Sequence, residues 1–296
     1  MRRLCGLICL GLIAVSGPAR AQDRLNVVAS FSILGDFVRN VGGDRVNVTT
    51  LVGPNSDAHV YVPTPADAKK VADAKLVFVN GLGFEGWMQR LVQSSGSKAT
   101  VVVASTNITP LKLGSSTDSH AWQTVANAKT YVYNIRNALS AAAPADAALF
   151  EANAEAYRVK LEALEREMGP WVESIPPEHR KVISTHTAFG YFAKAYGIEF
   201  IAPRGVSTES EPSARDIAGI ITQIKTKKIP AVFLENISDP RLIERISAET
   251  GARIGGTLYS DSLTDEKGDA PTYIDMVRHN IRALRNGIGY SPGPIR

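Results

Sequence analysis

One segment in the middle of the chain limits the folds that are open to it. Residues 144–175, PADAALFEANAEAYRVKLEALEREMGPWVESI, contain no glycine or proline between Pro144 and Gly169. Proline suits the first turn of a helix, and Gly169 with Pro170, or the two prolines that follow a turn later, would end it. A helix of about 25 residues is about 40 Å long. That length would cross the back of two lobes, so the segment is predicted to join them.

Both sides of this segment alternate β-rich apolar runs with stretches of helical period. The predicted strands are LNVVAS, VNVTTLVG, KLVFVNG and ATVVVAS before it and KVISTH, IEFIAP, AVFLEN and RIGGTLYSDS after it. Such alternation predicts βα units on parallel sheets. The fold class is therefore α/β, with two parallel-sheet lobes, 22–143 and 176–296, joined by one long backbone helix at 144–175. A single large α/β domain with a long crossover helix is the alternative.

Residues 1–21, MRRLCGLICLGLIAVSGPARA, are typical of a secretory signal peptide. Two arginines precede a short apolar run, and small residues, Ala19 and Ala21, close the segment. Cys5 and Cys9 both fall inside this leader, and neither is next to the expected cleavage point, so we expect no lipid anchor. The rest of the chain has no cysteine and can form neither disulfides nor thiolate–metal bonds. We expect an exported protein of the periplasm.

The formal net charge of +4 comes mostly from the leader. Without the three arginines of residues 1–21, the chain has 30 basic and 29 acidic residues. No basic run with interleaved aromatic residues remains, so nucleic acid is not an expected partner. No later segment is apolar enough for a membrane helix. We expect a soluble monomer.

Three of the five histidines lie at the edges of predicted elements. His59 follows a strand in VGPNSDAHVYVPTPAD, His120 begins a helix in TDSHAW, and His186 ends the strand KVIST. Asp261 directly follows another strand, in TLYSD. Side chains at the carboxyl ends of parallel strands converge on the crevice where ligands bind. Because each half supplies two candidates, the four would meet in the cleft between the lobes.

Three imidazoles and one carboxylate suit a divalent transition metal in a tetrahedral or slightly expanded coordination shell. Calcium and magnesium prefer oxygen ligands, which argues against both. Each residue also has a purely structural interpretation. A single histidine near a strand end is commonly a hydrogen-bonded structural residue, and Asp261 alone would suit a helix cap or a turn. The combination of all four favours the metal site.

These residues lie in segments that resemble the zinc/manganese class of ABC-transporter solute-binding proteins, called cluster A-I or solute-binding protein family 9. The matching segments, in order, are GPNSDAHVYVPTPAD, NGLGFEGW, DSHAW, STHTAFGYFAKAYGIEF, VFLEN and LYSDSL. The resemblance covers nearly the whole chain after the leader. It implies that His59, His120, His186 and Asp261 are the metal ligands. It also implies delivery to a membrane permease with a cytoplasmic ATPase, and a periplasmic metallochaperone is a further candidate partner.

The residue type at the third ligand position, which is His186 here, indicates which metal is bound. In similar proteins a glutamate there is typical of manganese carriers, whereas a histidine such as His186 favours zinc. Imidazole suits zinc and carboxylate suits manganese, so the preference has a physical basis. We therefore expect Zn²⁺, with Mn²⁺ carried on the same scaffold as the alternative. A third alternative, an adhesin-like surface role, is disfavoured because no lipid-attachment cysteine is evident.

A secreted zinc hydrolase is a rival from another class, since a metal held by three histidines can activate water. Asp261 would close the coordination shell, and the sequence has no His-Glu-x-x-His pattern. We therefore expect no enzymatic activity.

Two departures from the family pattern remain. DSHAWQTV lacks the proline that often follows the acidic residue, and no extra histidine lies between His59 and His120, so one tight site is expected without an auxiliary metal-collecting loop.

Four carboxylates are candidates for orienting the histidines. Imidazoles that bind metal usually donate their other N–H to a carboxylate or a carbonyl. Glu235, at the end of the strand AVFLE, has the best placement, and Asp118, Glu209 and Glu211 are the other candidates.

The remaining aromatic residues and histidines are given simpler roles. Trp122 and Tyr191 would screen the cleft from water, and Trp87 is expected in the core. His179 lies in a turn and His279 on a terminal helix, and both are expected to be solvated.

Overall fold

The computed structural model describes residues 24–114 and 116–289. The predicted signal peptide, with Cys5 and Cys9, lies outside the described residues. No helix within these two ranges is both long and apolar enough to cross a membrane.

The first lobe is built on a four-stranded parallel sheet. Its strands are β1 (Leu25–Phe31), β2 (Val46–Val52), β3 (Leu76–Val79) and β4 (Thr100–Val103), in the order β2-β1-β3-β4. The connecting helices are α1 (Ser32–Gly42), α2 (Pro65–Ala72) and α3 (Met88–Ser94). Strand β3 is buried along its whole length, as expected for a continuous apolar run in the middle of a parallel sheet.

A short hairpin and a helix follow the sheet of the first lobe. Strands β5 (Leu111–Leu113) and β6 (Ser116–Asp118) pair antiparallel, and α4 (Val125–Ala142) comes after them. The sequence patterns did not predict this hairpin. Strands of three residues are too short to show an alternation of apolar and polar residues.

The second lobe repeats the topology of the first. Its strands are β7 (Lys181–Ile183), β8 (Glu199–Ile201), β9 (Ala231–Glu235) and β10 (Arg253–Leu258), in the order β8-β7-β9-β10. Its helices are α6 (Gly190–Tyr196), α7 (Ala214–Lys227), α8 (Arg241–Thr250) and α9 (Tyr273–Gly287). In each lobe the first strand in chain order lies between the second and the third. Both sheets therefore have a crevice where the strand order reverses.

The long helix, α5 (Ala147–Glu173), follows a single 3₁₀ turn at residues 144–146. It passes through Gly169 and Pro170, so the first predicted end is wrong and the later one is close to the observed one. Its buried residues repeat every three or four positions, from Phe150 to Val172. This stripe packs on both lobes, and the helix ends before Pro176, because the residue that precedes a proline is disfavoured in helical conformation.

One hydrophobic core continues from the first lobe into the second. The ring of Phe37 on α1 lies 4.8 Å from the ring of Tyr273 on α9. Across the lobes, the Trp122 indole N–H donates to the carbonyl of Ser260 (2.8 Å), and the Tyr273 hydroxyl donates to the carbonyl of Trp122 (2.7 Å). Wide separation of the lobes would therefore expose apolar surface and break buried hydrogen bonds.

Candidate metal centre

The structure brings together the four residues that the sequence placed at element edges. His59 lies in the loop after β2, His120 follows β6, His186 follows β7, and Asp261 follows β10. Each offers one ligand atom, and these atoms all lie within 4.8 Å of one another. His120 does not begin α4 directly, because a 3₁₀ turn at residues 121–123 comes between them.

The ligand atoms lie close enough together to surround one ion, all within 4.8 Å of one another. The Nε2 atom of His120 is 3.3 Å from the Nε2 atoms of both His59 and His186. Asp261 Oδ2 is 3.2 Å from His59 Nε2 and 3.1 Å from His186 Nε2, and Oδ1 is 3.5 Å from His120 Nε2. Ligand atoms at about 2.0–2.1 Å from a zinc ion in a regular tetrahedron are about 3.3–3.4 Å apart. An ion of that size therefore fits between them.

The centre is closed to solvent except beside His59. His120, His186 and Asp261 have 0% exposure, and His59 has 6%. Apart from these imidazoles, no group of the described chain hydrogen-bonds to either oxygen of Asp261. A buried carboxylate without hydrogen-bond donors is unfavourable unless a positive charge compensates it. The arrangement is therefore suited to a cation.

Two of the four candidate carboxylates, Glu235 and Asp118, lie beside the histidines. His186 Nδ1 is 2.7 Å from Glu235 Oε2, and His120 Nδ1 is 2.8 Å from Asp118 Oδ1. The His120–Asp118 contact is a hydrogen bond, whereas the His186–Glu235 contact is a close ion pair without hydrogen-bond alignment. A carboxylate beside Nδ1 favours the tautomer that leaves the Nε2 lone pair for the centre. Glu235 also accepts hydrogen bonds from the backbone N–H groups of Thr185 (2.7 Å) and His186 (3.1 Å).

The other two candidate carboxylates do not take this role. Glu209 is exposed, and Glu211 forms an ion pair with Arg204 at the surface. His59 is held through its backbone N–H, which donates to Asp57 Oδ1 (2.8 Å). The second oxygen of that carboxylate accepts from the Thr208 hydroxyl (2.6 Å), which belongs to the other lobe.

The charges of the centre are strongly coupled. Burial opposes protonation of His186, but the carboxylates of Glu235 and Asp261 outweigh it and raise the pKa of the ring well above its ordinary value. Burial also opposes protonation of His120, and Asp261 and Asp118 together raise its pKa. Asp261 is buried too, yet the neighbouring imidazoles hold the pKa of its carboxyl well below its usual range. Protons and a metal cation would therefore compete for the same nitrogen atoms.

Aromatic rings line the centre. Trp122, which the sequence suggested as a screen against water, is fully buried with its ring 5.3 Å from that of His120. Tyr191 contacts Asp118, because its hydroxyl donates to the Asp118 carbonyl (3.4 Å). Phe84, which the sequence did not single out, packs edge-on against His59 with 4.7 Å between ring centres.

Three residues that are not candidate ligands, Trp87, His179 and His279, differ in part from what the sequence predicted. Trp87 is buried as expected, but its indole N–H also donates to the carbonyl of Ala58 (2.8 Å), directly before His59. His179 and His279 lie away from the centre, and both are half-buried rather than solvated. His279 Nε2 is 3.0 Å from the carbonyl of Thr257.

Comparison with curated proteins gives matches along the whole described chain. The family model for zinc-uptake complex component A, periplasmic, matches residues 27–287. The manganese-binding lipoprotein MntA of Halalkalibacterium halodurans is 34% identical over 298 residues, which cover 97% of this chain and 99% of MntA. The iron-binding protein YfeA of Yersinia pestis is 34% identical over 288 residues, which cover 96% and 92% of the two chains.

Solved structures show the same architecture. The periplasmic zinc binding protein TroA of Treponema pallidum matches with a TM-score of 0.86 and 31% identity, over 90% of this chain and 99% of TroA. A manganese-bound mutant of a periplasmic metal binding protein from Candidatus Liberibacter asiaticus matches with a TM-score of 0.82 and 32% identity, over 88% and 98%. The α/β fold with two parallel-sheet lobes and a long helix is thus confirmed. The chain belongs to the family of periplasmic zinc-uptake complex component A, the substrate-binding proteins of metal ABC transporters.

Proposed function

We propose that the chain binds one Zn²⁺ ion through His59, His120, His186 and Asp261 and delivers it to an ABC importer. The observation that carries the proposal is the convergence of three imidazoles and one carboxylate, all buried, with two Nε2 separations of 3.3 Å and ligand atoms within 4.8 Å of one another. Three neutral nitrogen donors and one carboxylate leave a net charge of +1 on the bound ion and its ligands. The buried carboxylates of Asp118 and Glu235, beside two of the imidazoles, offset this charge.

Manganese is the second candidate. The relatives MntA and PsaA are named for manganese, and both oxygens of Asp261 face the histidines, which would allow bidentate coordination. Manganese favours carboxylate and water ligands and a larger shell, whereas three imidazoles favour zinc. The ligand set therefore supports zinc, and the names of the relatives support manganese equally well.

A hydrolytic role is not supported by the arrangement. A catalytic zinc site keeps one position open for water, whereas here Asp261 occupies the fourth position with 0% exposure. The relative MntA is named a manganese-binding lipoprotein, and ScbA a metal ABC transporter substrate-binding lipoprotein.

The partners and the location follow from the family. A substrate-binding protein of an ABC importer acts with a membrane permease and its ATPase. We propose the periplasm as the location, a monomer as the form that delivers zinc, and a metallochaperone as a further partner. The relatives do not support the expectation of an unanchored protein, because MntA and ScbA are named lipoproteins. Residues 1–23, where an anchor would lie, are outside the described residues.

A competition titration tests the choice of metal. The full mature chain is stripped with a chelator, and Zn²⁺ and Mn²⁺ affinities are each measured against a chromophoric chelator at one pH. We expect one equivalent of Zn²⁺ to bind tightly and Mn²⁺ to bind much more weakly. Because nearly all nitrogen-containing sites favour zinc in vitro, metal content after purification from the native host is the decisive second measurement. Predominant manganese there would contradict the zinc proposal.

A further inference from the structure

The loop of residues 81–87, between β3 and α3, has a backbone that needs support. Gly81, Leu82 and Gly83 all have positive φ values, of 83°, 55° and 82°. Glycine adopts this region freely, but a leucine there is strained by its Cβ. Such strain persists only where surrounding contacts over-determine the conformation, and it is concentrated at functional sites.

The carboxylate of Glu85 supplies that support. Its Oε1 accepts from the Ser30 hydroxyl and from the backbone N–H of Asn80, both at 2.6 Å, and its Oε2 accepts from the backbone N–H of Gly81 (3.2 Å). Ser30 is near the end of β1, and Asn80 directly follows β3. Glu85 therefore ties the 81–87 loop to the crevice of the first sheet, where the strand order reverses.

Glu235 occupies the matching place in the second lobe. It ends β9, and it accepts backbone N–H groups from the segment after β7, which is the neighbouring central strand. Because the two sheets have the same strand order, each crevice holds one carboxylate that joins its two central strands. In the second lobe that carboxylate also orients His186.

The 81–87 loop contacts His59 and the residue before it. Asn80, which adjoins the loop, contacts the residue before His120. Trp87 donates to the carbonyl of Ala58, which precedes His59, and the Phe84 ring packs edge-on against His59 itself. Asn80 donates its side-chain N–H to the carbonyl of Ser119 (2.8 Å), which precedes His120. Glu85 thus holds the structure that sets the positions of two ligands while contacting neither.

We propose that Glu85 is a positioning residue for His59 and His120, the first-lobe counterpart of Glu235. The inference rests on the proposed metal-binding function of the four ligands. Glu85 acts through the backbone of the 81–87 loop, so its loss displaces ligands that are themselves unchanged. Loss of Glu85 is therefore expected to change the coordination geometry of the bound metal as well as its affinity.

Three variants of the full mature chain test this role: Glu85→Ala, Glu85→Gln and Trp87→Phe. Zinc affinity is measured by chelator competition, and the visible spectrum of bound Co²⁺ reports the coordination geometry. For Glu85→Ala we expect affinity to fall about tenfold to a hundredfold, the range for lost supporting contacts at metal sites, together with an altered Co²⁺ spectrum. Glu85→Gln should rescue most of the effect, because an amide oxygen can still accept from Ser30 and Asn80.

Asp36→Asn is the matched control. Asp36 is a buried carboxylate on α1 that accepts from the Tyr273 backbone N–H (3.0 Å) and the Tyr157 hydroxyl (3.3 Å), and it does not contact the 81–87 loop. Its substitution should lower thermal stability and leave the Co²⁺ spectrum unchanged.

The outcomes separate the possibilities. A folded Glu85→Ala protein with the parent spectrum and affinity overturns the proposal, and so does an Asp36→Asn protein with an equal spectral change. If Glu85→Ala does not fold, Trp87→Phe decides: weaker binding supports the proposal, and unchanged binding overturns it. Failure of the parent protein to bind zinc or Co²⁺ would instead reject the proposed function.

Discussion

At the scale of single residues, the centre depends on side chains that fix the ring nitrogens as much as on the ligands. His120 and His186 each direct Nδ1 at a buried carboxylate, so that each ring can present only Nε2 to the cation. The four candidate ligands could be found from sequence because each is a histidine or an aspartate that follows a strand, and because the family resemblance marks the same positions. Asn80 and Phe84 could not, since no local pattern shows that the segment after β3 contacts His59 and the residue before His120.

The carboxylate contacts give a first prediction. We expect Asp118→Asn and Glu235→Gln each to weaken zinc binding by about 10- to 100-fold, because an amide can donate to Nδ1 and favour the wrong tautomer. Isothermal titration with a competing chelator measures the change. Glu211→Gln, at an exposed ion pair, is the control and should bind as the parent protein does. Parent-like affinity in both buried variants would contradict this role.

Proton competition gives a second prediction. The pKa of both His120 and His186 is raised, so protons occupy their Nε2 atoms at and above the ordinary histidine pKa of about 6.5. Zinc must displace these protons, and affinity should therefore fall as pH decreases, with the loss already evident above pH 6.5. Where both rings are protonated, the fall approaches about 100-fold per pH unit, since each displaced proton contributes about tenfold.

Chelator competition between pH 8.5 and pH 5.5 measures this dependence. Calorimetry in buffers of different ionisation enthalpy counts the protons released. An affinity independent of pH over this range would mean that the imidazoles are not ligands.

At the scale of elements, apolar periodicity predicted the eight strands of the two parallel sheets and most helices. The predictions of secondary structure were incomplete or wrong where the local sequence signal was weak, or where packing of buried residues outweighed it. The hairpin of β5 and β6 is too short to show a pattern. The long helix continues through Gly169 and Pro170, because a proline near the end of a helix disturbs few hydrogen bonds and the buried stripe continues to Val172.

The contact between β10 and α9 gives a third prediction. A Cβ atom on Gly287 would lie 2.7 Å from the Cα of Gly255 and 2.5 Å from a ring carbon of Phe233. Gly287→Ala should therefore destabilise the protein by about 1–3 kcal/mol through overpacking. Gly219 on α7 is exposed with no atom near its added Cβ, so Gly219→Ala should stabilise by about 0.5–1 kcal/mol. Denaturant unfolding measures both, and equal effects would show that the close approach is unimportant.

At the scale of the whole molecule, the two lobes share a strand order that no sequence repeat reveals. Topology is preserved by packing and chirality rules rather than by particular side chains, which explains why the similarity is absent from the sequence. The common core and α5 connect the lobes. Release of the metal should therefore proceed through loops and a small lobe movement rather than a wide opening.

Solution scattering gives a fourth prediction. A compact chain of this size has a radius of gyration of about 19 Å. We expect the same value within error for the zinc-loaded protein and for protein treated with a chelator. A clear increase after chelation would indicate wide opening and would contradict the restraint that we assign to the core and α5.

The most direct test of the central claim is an anomalous difference map from crystals of the zinc-loaded protein, recorded at the zinc absorption edge. The account predicts one strong peak between the lobes, about 2.0–2.1 Å from the Nε2 atoms of His59, His120 and His186 and about 2.0–2.2 Å from an oxygen of Asp261. A peak bound by other residues, or no peak between the lobes in protein that carries one equivalent of zinc, would contradict it.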